Sequence, residues 1–115
     1  MPYRTLGEYE LELRKAMERV RAINIFRSDI EGGNIEWEGD VVTALRWDPL
    51  WRGLGTTVVH ELIHYQRRTN PEAVGALDEP SVLGIEKAMW KFIMRRKPRW
   101  RWWRRAIYSR LRGKF

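Results

Sequence analysis

Cysteine is absent from this 115-residue chain. That excludes a disulfide framework and a thiolate-rich metal site, and it is compatible with a reducing compartment. Histidine is almost absent: His60 and His64 are the only two. Long apolar runs are missing, and none approaches the roughly 20 residues that crossing a bilayer takes. Met1-Pro2-Tyr3-Arg4-Thr5 enters a charged amphipathic pattern without the apolar centre of a signal peptide. A cytoplasmic protein is the expectation. Neither an internal repeat nor a low-complexity linker divides the chain, and its length suits one core rather than two.

Acidic residues are missing from one end. Residues 1–86 hold all 15 acids and 10 of the 22 Lys/Arg, a balance of −5, whereas residues 87–115 hold the other 12 Lys/Arg and no acid. A basic end on an acidic body points to a polyanionic partner, either nucleic acid or an anionic membrane surface. A solvated helical face would have the same composition.

What remains is patterned. Tyr9, Leu13, Met17, Val20 and Ile23 recur near the 3.6-residue period and predict a helix over about 5–27, with Thr5 and Glu8 as a capping box. Ile35–Glu38 and Val41–Trp47 read as strands joined through Gly39-Asp40 as a hairpin, and Asp48-Pro49 closes the second. Gly53 and Gly55 precede Thr56-Thr57, which can cap a helix over about 57–68 that Asn70-Pro71 stops. Ser81 caps a further helix over about 81–96, and Pro98 breaks it. Trp100, Trp103, Ile107 and Leu111 then give helical spacing over about 99–112. The expected fold class is α+β: an N-terminal helix, a β-hairpin or short sheet, then three helices. Residues 1–98 would form the domain, with the basic Arg/Trp-rich helix of residues 99–115 packed on it.

The chemistry sits in His60-Glu61-Leu62-Ile63-His64. Residues four apart on a helix lie one turn apart on one face, so two imidazoles there can hold one zinc ion at about 2.0–2.1 Å. Glu61, about 100° round the helix from His60, can reach a water in the ion's open position and act as its general base. Val58, Val59, Leu62 and Ile63 supply the stripe that buries such a helix. Two ordinary helix histidines beside a surface glutamate are the plain alternative. A closed structural metal site fits less well, because the glutamate adds nothing to one.

Thr57-Val58-Val59-His60-Glu61-Leu62-Ile63-His64-Tyr65, after a helix and a strand pair, resembles the zincin metallopeptidases. It is most similar to minimal gluzincin-type domains and to the ImmA/IrrE and SprT-like metallopeptidases of phages and bacteria. The resemblance covers the layout of about residues 5–95, although only the HExxH stretch is motif-specific. It implies a zinc-dependent endopeptidase with one Zn2+ per chain, and a protein or peptide substrate added along Val41–Trp47 as an edge strand. It also implies a third protein ligand. No histidine follows His64, which rules out a metzincin arrangement. Glu86 stands 22 positions beyond His64, on the face of Val82, Met89, Trp90 and Ile93, where burial of a carboxylate needs a partner. The carboxylate that often follows the gluzincin glutamate four positions on is replaced by Trp90. Glu79, in Gly75-Ala76-Leu77-Asp78-Glu79, is the alternative, and Glu72 a weaker one. Tyr65, Tyr108 and several arginines are candidates for stabilising the oxyanion, and none is singled out.

Arg99-Trp100-Arg101-Trp102-Trp103-Arg104-Arg105 interleaves cations and indoles. Arginines neutralise phosphates, while indoles stack on bases or sit at a membrane interface. The competing expectation is a helix that packs its indoles inward. A functional alternative follows: a nucleic-acid-binding or regulatory protein that keeps a zincin fold with little turnover.

Overall fold

Thr5 starts the first helix, its Oγ1 accepting a hydrogen bond from the Glu8 amide at 3.1 Å. The computed structural model describes residues 5–26, 35–38, 41–44, 51–69 and 82–114. Helix α1 spans Leu6–Arg19, where Tyr9, Leu13, Ala16 and Met17 form one fully buried stripe. Val20 ends it in extended conformation, its N–H donating to the Met17 carbonyl.

The helix expected to run to residue 27 therefore stops early. Ala22–Phe26 is instead strand β1. Ile23 fits both a helical and an alternating period, and sheet pairing decides between them. Strands β2 (Ile35–Glu38) and β3 (Val41–Ala44) pair antiparallel, with Trp37 opposite Val42 and Glu38 opposite Val41. This is the expected pairing of 35–38 with 41–47. Residues 39–40 and 45–50, including the Gly39-Asp40 turn, lie outside the described residues.

The sheet corrects one expectation. Its order is β2-β3-β1-β4, with β4 at Leu111–Lys114. β3 runs parallel to β1, with Ile23 opposite Val42, and β4 runs parallel to β1 on its other side, with Ile23 opposite Leu111. Val41–Ala44 is thus an interior strand with both ladders occupied. It is not the free edge expected of Val41–Trp47, so no peptide can add to it. Among the described residues, β2 and β4 are the outer strands.

Helix α2 spans Trp51–Thr69 and begins earlier than the capping residues implied. Gly53 and Gly55 lie inside it, and Thr57 Oγ1 donates to the Gly53 carbonyl one turn back at 2.9 Å instead of capping the start. Each glycine costs about 1 kcal/mol relative to alanine. Burial of Leu54, Val58, Val59, Leu62 and Ile63 offsets this. Helix α3 covers Val82–Met94 and α4 covers Lys97–Arg110. Pro98 does not separate them by breaking a helix: it occupies the first turn of α4, where the missing N–H has no intrahelical partner to lose. Glu79, Glu72, Asn70-Pro71 and Ser81 lie outside the described residues.

Among the described residues, four helices and four strands form an α+β fold around one core. Ile85, Met89 and Ile93 of α3 and Trp103, Ala106 and Ile107 of α4 complete that core. Glu10 is also buried, only 3% exposed, and its Oε1 accepts from Trp103 Nε1 at 3.0 Å and from Arg14 Nε at 2.6 Å. The Arg110 guanidinium closes the other end of α4, donating to the Val20 and Ala106 carbonyls at 2.7 and 2.8 Å. No helix among the described residues is long and apolar enough to cross a membrane.

Candidate metal centre

Helix α2 carries two different faces. Leu54, Val58, Leu62 and Ile63 face the core, and Gln66 continues the buried side by donating to the Glu12 carbonyl of α1 at 3.3 Å. This packing fixes the rotation of the helix, so His60 is left half-buried and His64 exposed. Their rings meet edge to face, with centroids 4.7 Å apart and planes at 69°. His60 Nε2 and His64 Nε2 are 3.0 Å apart, close enough for one imidazole to donate to the other. Glu61 is 7% exposed. One ligand atom from each of His60, Glu61 and His64 can be chosen so that all three lie within 4.8 Å of one another.

These residues fit a zinc ion. Two nitrogens on one tetrahedral zinc stand about 3.3 Å apart, given Zn–N bonds of about 2.0–2.1 Å. The pair needs to open by only a few tenths of an ångström. Burial holds the His60 pKa below its ordinary value, and His64 beside it lowers it further. His60 is therefore in the neutral, ligating form at neutral pH.

Glu86 reaches the same histidine from α3. Its carboxylate is buried, 6% exposed, and Oε1 lies 3.6 Å from His60 Nδ1. That is the nitrogen on the far side of the ring from His64. Burial pushes the Glu86 carboxyl above its usual range, while Lys87 beside it pulls the other way. The carboxylate thus faces Nδ1, and Nε2 is the nitrogen turned towards His64. As placed, the Glu86 carboxylate is not one of the three convergent groups. Glu79, the other candidate third ligand, is outside the described residues.

Of the residues considered for an oxyanion, Tyr65 lies beneath the Arg19 guanidinium at 6.0 Å, and Tyr108 lies beside Arg104 at 5.6 Å on α4. The sequence pattern brought His60, Glu61, His64 and Glu86 into consideration. It did not show which nitrogen of His60 Glu86 would meet, because that depends on how α3 packs on α2. Comparison with family models, with curated proteins and with solved structures gives no match in any of the three.

Proposed function

We propose that the chain is a zinc-dependent metallopeptidase that uses Glu61 as general base. The observation that carries this reading is the convergence of the two Nε2 atoms, 3.0 Å apart, with the buried Glu61 carboxylate beside them. His60 and His64 would hold the ion, and Glu79 or a reoriented Glu86 would complete its protein ligands. Bound there, zinc would polarise the substrate carbonyl and bring the pKa of a coordinated water towards about 7. Glu61 takes the proton from the attacking water and passes it to the departing amine. Its burial keeps bulk water from competing for that proton. Where Glu79 completes the ligands, Glu86 would stay behind His60 Nδ1 and help to hold the ring in place. An extended substrate peptide would pair with β2 or β4, the outer strands among the described residues.

Metal analysis and a proteolysis assay test the reading together. The purified protein should bind about one zinc per chain through its single pair of imidazoles. Glu61→Gln should keep the zinc and lose hydrolysis by about 100-fold or more. Glu79→Ala and Glu86→Ala then separate a ligand from an orienting group. Loss of the orienting group weakens zinc affinity about 10- to 100-fold, and loss of a true ligand removes stoichiometric zinc. Hydrolysis surviving in Glu61→Gln would overturn the mechanism. A zinc-loaded wild type without turnover would leave the non-hydrolytic alternative standing.

A further inference from the structure

The cations of the last third of the chain fall into stripes. On α3, Lys87 and Lys91 are exposed at four-residue spacing, and exposed Arg95 and Arg96 continue into α4. On α4, Lys97, Arg101, Arg104 and Arg105 are exposed, and Arg112 is exposed beyond it. The opposite side of α4 is the one that buries Trp103, Ala106 and Ile107. Packing and charge therefore occupy different faces of one helix and do not compete. Among the described residues, none of these exposed cations has an ion-pair partner, whereas Arg14 and Lys15 of α1 pair with Glu10 and Glu12. No acid follows Glu86 anywhere in the chain.

The aromatic side chains decide which polyanion fits. Trp103 is fully buried and donates to Glu10. Trp102 meets Trp103 edge to face at 5.1 Å and is covered by the Arg14 guanidinium at 4.6 Å. Trp90 and Trp100 pack partly buried against the core, and Phe92 lies under Arg99 at 3.6 Å. On α4 only Tyr108 is an exposed large hydrophobic, at 40%. A single strand would need open rings on which successive bases stack. A membrane surface would need indoles or an apolar face to insert. The indoles here are turned inward, so what the surface offers is cations at helical spacing.

We propose that the exposed cationic face of α3 and α4 binds the phosphate backbone of double-stranded nucleic acid, without reading bases. The surface includes Lys87, the chain neighbour of Glu86, and the proposal holds whether or not the candidate metal centre hydrolyses peptides. Binding is electrostatic, so it releases counterions and weakens steeply with salt.

Fluorescence anisotropy with a 30-base-pair duplex, the matching single strand and phosphatidylserine vesicles tests the proposal. The duplex should bind more tightly than the single strand. The slope of log K against log salt should be about −0.9 per phosphate contacted. Lys91→Gln, Arg101→Gln and Arg105→Gln combined should flatten that slope by about 2.7 if each residue contacts one phosphate. Lys15→Gln, on α1, should leave it unchanged, and a thermal melt of each variant checks that it folds. Equal or tighter binding to the single strand would overturn the proposal, as would vesicle binding without duplex binding. An unchanged slope in the folded triple variant would do the same.

Discussion

Burial pushes two groups that face each other, the His60 imidazole and the Glu86 carboxylate, in opposite directions. In the metal-free protein, the folded His60 pKa lies below its unfolded value of about 6.5. The unfolded chain then binds the proton first. The stability at this group is fully present above about pH 6.5 and is lost as pH falls through the folded pKa. Glu86 behaves in the reverse sense. Its folded pKa is raised, so its contribution is fully present below the unfolded value of about 4.3 and is lost as pH rises through the folded value. Glu86→Gln removes the second dependence and leaves the first. The melting temperature of metal-free Glu86→Gln relative to metal-free wild type should therefore rise progressively as pH goes from 4 to 7.5. Paired thermal melts across that range measure it. An offset between the two proteins that is constant with pH would show that burial does not control the carboxyl.

At the scale of elements, α1 holds a position that can be improved without touching the site. A methyl group on Gly7 would lie 3.6 Å from Phe92 Cζ and 3.8 Å from Thr5 Oγ1, both ordinary contacts. Alanine restricts the unfolded chain more than glycine does, so Gly7→Ala should stabilise by about 0.5–1 kcal/mol. For a domain of this size that raises the melting temperature by roughly 4 °C, measurable by circular dichroism. A lower melting temperature would mean that Phe92 does not yield to the new contact. The core stripe of α1 was legible because Tyr9, Leu13 and Met17 follow one period and Thr5 supplies a cap. The strand that follows was not, because Ile23 and Ile25 become a strand only between two partners at 41–44 and 111–114. Leu111-Arg112-Gly113-Lys114 carries no strand signal of its own, with one glycine and two cations in four residues. The start of α2 was hidden by Gly53 and Gly55, which punctuate a chain locally but are carried by the packing of Leu54. In the candidate metal centre, the histidine pair and Glu61 were legible because their spacing fixes a helix face. The side of His60 that Glu86 approaches depends on helix packing, which local spacing does not encode.

Across the whole molecule, the two ends of the chain hold each other. The Trp103–Glu10 hydrogen bond joins residues 93 apart, and Arg110 donates to the Val20 carbonyl 90 positions away. β4 pairs with β1, and α4 packs on α2 and α3. The basic segment therefore completes the fold as well as carrying charge. Truncation after residue 98 should abolish cooperative folding. The loss of Trp103 alone corresponds to a truncation worth about 3–5 kcal/mol, and that of Ile107 to about 2–5 kcal/mol. Those two losses together rival the 5–15 kcal/mol that ordinarily stabilises a whole domain. They also leave Glu10 buried without its indole donor, and they open one side of β1. Added zinc should not rescue the truncated chain, although no candidate ligand lies beyond residue 98, because α2 loses the helix it leans on. The check is a thermal melt followed by near-ultraviolet circular dichroism, with a dye that reports exposed apolar surface, both with and without zinc. The truncated chain should bind the dye and show no sharp transition. A cooperative melt within a few degrees of the full-length protein would mean that residues 99–115 sit on a core already complete without them.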